Sequence, residues 1–209
     1  MATSTRRALE RARTRERIIE TALHVLESEG VAALTIRRIA TEIEYTAPIV
    51  YQYFAGKDEL VLELVTRGYQ LLLNDIRLAS GEPDIDRRML RLASEYVRFA
   101  GEHPYLFQVM NDATVNADER RRAAEPGTEV LREQLASWAS EHDVVLTDFD
   151  EACEIVWGTL YGIASLGHLG TVGNERARKL AEQAFRAILS GWSNGAPGTE
   201  QPDQGEPAE

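Results

Sequence analysis

Apolar residues recur along this chain at helical spacing, and glycine, proline and capping residues cut the pattern into segments. Ile18, Ala22, Val25 and Leu26 form an i, i+4, i+7, i+8 stripe closed by Gly30, which predicts a helix over about 14–29. Thr35 is an N-cap for a short helix with Ile36, Ile39, Ala40 and Ile43 on one face. Another short helix is expected from Thr46 to Phe54, and a fourth from about Lys57 through Leu60, Leu64 and Leu72. Beyond Gly81 and Pro83 the pattern predicts a helix over 85–100, a break at His103 and Pro104, and a short helix through Phe107 and Met110. Pro126 and Gly127 are expected to open a helix through Leu131, Leu135 and Trp138, while Asp148 and Asn174 begin the last two. No run alternates as a strand and no repeat occurs, so the fold class is all-α with about nine helices.

The stretch TIRRIATEIEYTAPIVYQYF, residues 35–54, is a short helix, a three-residue turn at Glu44, Tyr45 and Thr46, and a second short helix. That is helix-turn-helix spacing, in which the second helix enters the DNA major groove. Residues at 100° steps place Ala47, Val50 and Phe54 on the buried side and Pro48, Ile49 and Gln52 opposite, with Tyr51 and Tyr53 at the edges. Gln52 can pair bidentately with adenine, Ile49 or Pro48 can pack on a thymine methyl, and the tyrosine hydroxyls can reach phosphates. Lys57 stands in the first turn of the next helix, where a cation opposes the macrodipole unless a phosphate is bound. The alternative is a helical hairpin whose tyrosines cover core and whose lysine is merely solvated.

Charge sharpens the contrast between the two ends. Of 209 residues, 23 are Lys or Arg and 34 are Asp or Glu, a formal charge of −11. Residues 1–60 hold nine basic and nine acidic side chains, so the whole imbalance lies further along; residues 1–17 alone carry six arginines against Glu10 and Glu16. A basic arm on a neutral head and an acidic body suits a negatively charged partner at one end, although charge runs are also simply solvated. The hydrophobic content of 44% fits a globular chain, no segment approaches a membrane span, no apolar h-region follows the arginines, and Cys153 is the single cysteine. A cytoplasmic protein is expected. Residues 194–209 hold three Gly, three Pro and four acids without a large apolar side chain, which predicts a disordered acidic tail.

For an enzyme the parts do not converge. His24, His103, His142 and His168 lie on different predicted helices, and no zinc-protease, paired-cysteine, nucleophile-elbow or phosphate-loop pattern occurs. The chain is expected to be non-enzymatic, with no metal and no cofactor. A helical protein-interaction adaptor is the alternative to a DNA-binding protein, but leaves the groove-ready helix and Lys57 without a purpose.

Residues 14–65, with RxxIIxxAxxVLxxxG, then LTIRRIA, then VYQYFAGKDEL, resemble the DNA-binding domain of TetR-family transcriptional regulators. HPYLF at 103–107 and VWGTLYGIASL at 156–166 are similar to ligand-binding domains of one subgroup. Glu44 departs from the glycine common in the family's turn, and Tyr45-Thr46 from its usual Val-Ser. The resemblance implies a basic disordered arm at 1–13, a helix-turn-helix domain at 14–57, an effector-binding and dimerisation domain at 58–193, and the tail. It implies a homodimer on a near-palindromic double-stranded DNA operator, acting as a repressor released by a small molecule of unknown identity.

The DNA-facing set is then Thr35, Arg37, Thr46, Ala47, Pro48, Ile49, Tyr51, Gln52, Tyr53 and Lys57. Gly158 and Gly162, followed by Ser165, put small residues on one stripe of the eighth helix, with Ala177, Ala181 and Ala184 on the ninth. Interior glycines cost about 1 kcal/mol each relative to alanine, so a closely approaching helix is implied, either of a second subunit or of the same chain. Tyr96, Phe99, His103, Phe107, Met110, Trp138, Trp157 and Tyr161 are the candidates to line an effector cavity, or else fill the core. The acidic surroundings favour a neutral or cationic apolar effector unless Arg91, Arg98 or Arg132 faces inward.

Overall fold

In a computed structural model that describes residues 2–194, nine α-helices and one 3-10 turn account for the regular structure: α1 (Ala2–Glu29), the 3-10 turn Val31–Ala33, α2 (Ile36–Glu42), α3 (Ala47–Val50), α4 (Lys57–Ala79), α5 (Ile85–Glu102), α6 (Pro104–Met110), α7 (Ala117–Glu141), α8 (Phe149–His168) and α9 (Asn174–Asn194). The expected tail beyond Asn194 lies outside the described residues.

The first three helices form a small head. Ile18, Ile19, Ala22, Val25 and Leu26 of α1 bury against Ile36, Ile39, Ala40 and Ile43, and Val50 and Phe54 complete the cluster. Thr35 caps α2 by accepting from the Arg38 N–H at 3.1 Å. The turn after α2 closes with Tyr45 N–H on Ala40 O at 2.8 Å and Glu44 N–H on Thr41 O at 3.1 Å, a Schellman ending that needs a left-handed residue at position 44. Glu44 adopts it, at φ 60°, where glycine would be unstrained.

In the body, α5 is central and packs against α4, α6, α7, α8 and α9. One continuous core joins head and body from Ile18 to Leu189. The head docks on α6: His103 Nδ1 lies 3.2 Å from Glu27 Oε1, and the Tyr105 ring covers Gly30, where an added Cβ would meet ring carbon Cε1 at 3.2 Å. Gly30 also needs its φ of 82° to end α1.

Three expectations require correction. The arm is helical from Ala2 onward, so α1 starts twelve residues before the predicted 14. Ala, Arg, Glu and Leu are good helix formers, no Gly or Pro intervenes, Arg6 and Glu10 pair at i, i+4, and the extension grows from a turn already fixed by the core. The reading helix is shorter than 46–54: α3 ends at Val50 and the chain tightens into i→i−3 bonds through Tyr53. Finally, α7 does not open at Pro126 but runs through it from Ala117. Asn116 caps Asp118 and Glu119, Arg120 holds Asp112 O, and Ala123 and Leu131 pack on the core to either side of the proline, offsetting its lost hydrogen bond.

Candidate nucleic-acid interface

The head leaves the segment 45–53 on its surface, held from behind by its core residues and from one side by α1. Val50 and Phe54 are buried, whereas Thr46, Pro48, Tyr51 and Gln52 are exposed and Ala47, Ile49 and Tyr53 are half-buried. Tyr51 is 54% exposed, so it does not serve as core cover. So short a helix needs bracing, and arginines of α1 supply it. Arg11 donates from Nη2 to the Gln52 carbonyl at 2.9 Å and lies 5.1 Å over the Tyr53 ring. Arg15 lies 5.1 Å over Phe54 and pairs with Glu63 at 2.5 Å, and Arg17 lies 5.9 Å over Tyr45. The Arg15 guanidinium is held still more firmly protonated by the Glu63 carboxylate. Each stack joins a cation to an aromatic face.

On α2, Arg38 is tied to Glu29 and Glu42, whereas Arg37 is exposed. Thr35 is exposed too, its hydroxyl oxygen committed to the cap. Lys57 is exposed at the first position of α4, whose N-cap Gly56 offers no side-chain acceptor; Glu59 instead accepts from the Ala55 N–H at 2.5 Å. The first-turn N–H groups of a helix have no intrahelical acceptor, so Lys57 and those groups offer donors just after the reading segment, with the acids Asp58 and Glu59 in the same turn. All ten expected DNA-facing residues thus lie on the head, and those of the segment 46–53 are contiguous. The stacking arginines were not anticipated; for Arg11 and Arg15 the signal was their i, i+4 spacing, but the rings they meet, Tyr53 and Phe54, are some forty residues away.

The other expected residues separate. A Cβ added at Gly158 or Gly162 meets nothing within 4 Å, so these glycines face out of the chain and their intrachain packing is set aside. They lie on one stripe with exposed Ile155, Leu166 and Leu169, the last 74% exposed. Ser165 is half-buried, its hydroxyl donating to Tyr161 O. Ala177 and Ala181 are corrected: both are fully buried inside the chain, with the Ala177 methyl 3.3 Å from where a Gly167 Cβ would stand. The small face of α9 is spent on seating it against its own neighbours; Ala184 is half-buried.

The eight aromatic and neighbouring candidates lie in four places. Tyr96, Phe107, Tyr161 and Trp157 form a path, with successive ring centroids 5.9, 6.0 and 6.4 Å apart, from the interior to the exposed face of α8. Burial pushes the Tyr96 hydroxyl far above its ordinary range, with the Trp157 indole pulling the other way, and burial also raises Tyr69. Phe99 stacks on His103 at the head-body joint, where burial raises the Glu27 carboxyl against the pull of His103. Met110 fills the space above Gly68. Trp138 lies apart, donating to Asp86 at 3.0 Å between His142 and Trp192. Of the arginines that could reverse the effector's charge preference, Arg98 is held by Asp75, Glu95 and Glu102, Arg132 by Glu129 and Asp150, and Arg91 is exposed.

Among the described residues no helix is long and apolar enough to cross a membrane. Residues 18–64 match the family described as bacterial regulatory proteins, tetR family, and residues 89–191 match the tetracyclin repressor-like C-terminal domain. The chain is 25% identical over 122 residues to an uncharacterized HTH-type transcriptional regulator, YobS, of Bacillus subtilis (strain 168), covering 58% of this chain and 59% of that protein. It is 29% identical over 96 residues to the HTH-type transcriptional repressor DrrR1 of Streptomyces coeruleorubidus, covering 46% of this chain and 35% of the repressor. The chain thus spans less than two thirds of either relative. A solved structure of a protein with unknown function from Rhodococcus sp. RHA1 superposes with a TM-score of 0.74 at 20% identity, covering 86% of this chain and 95% of that one, a likeness of fold. With its head matched by one family domain and its body by the other, the chain belongs to the TetR family of bacterial regulators.

Proposed function

We propose that this protein is a sequence-specific, DNA-binding transcriptional regulator that binds a near-palindromic operator as a homodimer and is released as a repressor by a small apolar effector. The observation that carries the reading is the exposed strip from Thr46 to Gln52, braced by arginines on one side and edged by Lys57. Gln52 reads adenine, Pro48 and Ile49 meet thymine methyls, Tyr51, Tyr53, Thr46 and Lys57 hold phosphates, and Thr35 and Arg37 reach the backbone from α2. Ala47, half-buried, lets the helix approach the groove closely. The DNA-binding unit is residues 2–57 and the remainder of the body serves dimerisation and effector binding; the work is done in the cytoplasm, and no catalytic step is assigned.

The second subunit packs on the outward stripe of α8, Gly158 against Gly162, with Ile155, Leu166 and Leu169 as its apolar flanks. The effector enters along Trp157 and Tyr161 toward Phe107 and Tyr96. With Arg98 and Arg132 already held by carboxylates, the acidic body favours a neutral or cationic apolar molecule. It releases DNA by favouring a dimer whose two reading helices no longer match half-sites about 34 Å apart, with α6 carrying the shift to the head through the Glu27–His103 and Gly30–Tyr105 contacts. A thermal-shift screen of apolar compounds followed by DNA competition tests the effector: a stabilising hit that leaves DNA affinity unchanged removes effector binding as the switch.

A further inference from the structure

The helical extension of α1 has no core to serve. Among its described side chains Ile18 is the first that is buried, and every one from Thr5 to Arg13 is exposed. At about 1.5 Å per residue, the stretch from Ala2 to Arg17 is a rod of about 24 Å standing beside the reading segment. One side of this rod faces a groove of about 720 Å³ lined by Arg7, Arg11, Arg13, Arg17, Tyr45 and Tyr53, with Glu10 and Thr14 between them.

Its chemistry is one-sided. Four guanidinium groups line it against a single acid, and Glu10 is already paired with Arg6 at 3.0 Å. Arg11 and Arg17 are held in place by stacking on the two tyrosines, which leaves further N–H donors directed outward. Arg7 and Arg13 form no ion pair among the described residues and are exposed. Such clustered cations repel one another, a cost that an anion of repeated charge relieves along the length of the rod. The groove's two tyrosines also bracket α3, so the site is continuous with the reading segment.

The geometry points to this groove as a second DNA-binding site, in which the α1 extension lies along the phosphate backbone flanking the bases read by α3 and adds sequence-independent affinity through Arg7 and Arg13. The inference rests on the reading of α3 as DNA-facing. A duplex strand presents a phosphate every 3.4 Å along the axis, so a rod of this length spans several. Arg11 and Arg17 orient the wall by their stacking, whereas Arg7 and Arg13 are the uncommitted charges. An acidic protein segment is the other polyanion this groove could hold; the sharing of Tyr45 and Tyr53 with α3 favours DNA.

The test compares the full-length protein with the variant Arg7→Gln plus Arg13→Gln, leaving the arginines that brace α3 untouched. Glutamine forms helices well, so α1 is kept, as far-UV circular dichroism would verify. Fluorescence anisotropy on a labelled random-sequence duplex about three helical turns long gives the slope of log affinity against log salt between about 50 and 200 mM. Each lost phosphate contact makes the slope shallower by about 0.9, so the pair is expected to lose nearly two per protomer, with affinity falling alike on all sequences. Arg7→Lys plus Arg13→Lys is expected to keep the wild-type slope. An unchanged slope in the glutamine variant, or an equal loss in the lysine variant, overturns the inference while leaving α3 as the reading element. Failure of the wild type to bind any duplex overturns the DNA reading as a whole.

Discussion

Two surfaces of this molecule expose groups of aromatic side chains, and their surroundings differ. Around α3, Tyr45 and Tyr53 lie under guanidinium groups and Tyr51 stands clear. Along α8, Trp157 and Tyr161 are flanked by Gly158 and Gly162 and by exposed Ile155, Leu166 and Leu169. Rings braced by cations suit a polyanion, because the cations hold the rings in place and still offer donors. Rings beside bare glycines and aliphatics suit another apolar helix, because only a packed backbone repays interior glycines. Exposure alone does not name a partner; the neighbours of the exposed ring do.

The contrast breaks most visibly at α8. Gly158→Leu with Gly162→Leu is expected to leave the protomer folded, since each new side chain begins in open space, and to weaken dimerisation at least about 100-fold by overpacking the seam in both copies. Light scattering showing monomers with unchanged helical content is the expected result; an intact dimer moves the interface elsewhere. At α3 the sharpest change is Gln52→Ala, which should remove about 1–3 kcal/mol of discrimination at one base pair per half-site while weaker sites bind nearly as before. Equal loss on every sequence withdraws Gln52 as a base reader. Lys57→Ala should behave in the opposite way, lowering affinity on all sequences alike and reducing the salt slope by about 0.9. Smallest is Thr35→Ala, which deletes the cap on Arg38 N–H and should cost about 1 kcal/mol, a fall of about 2–4 °C in Tm for a chain of this size. An unmoved Tm means water replaces the cap.

What could be read before the fold was known divides along the same line. Periodicity and capping residues located α2, α4, α5, α6, α8 and α9, because those signals are local: Thr35, Asp148 and the break at His103 act within four residues of themselves. Disorder was expected of the arm at 1–13 from its four arginines, but alternation with Glu and Ala leaves the segment free to continue a helix already nucleated by Ile18 and Ala22. A boundary was expected at Pro126, although a strong cap at Asn116 and core contacts on both sides outweigh it. The residues of the reading strip were legible from their spacing, but the Arg11, Arg15 and Arg17 stacks were not, since they join positions far apart in the chain. Ala177 and Ala181 show the converse limit: a stripe of small residues marks close packing without saying whose helix approaches, and on α9 it is the chain's own.

The central claim, that the Thr46–Gln52 strip reads DNA as one half of a symmetric pair, is tested most directly by selecting the genomic fragments that the full-length dimer retains and sequencing them. The account predicts enrichment of one near-palindromic sequence whose half-site centres lie about 34 Å apart, or a multiple of that spacing. Retention of no fragments above background, or of fragments sharing no two-fold sequence, would contradict it.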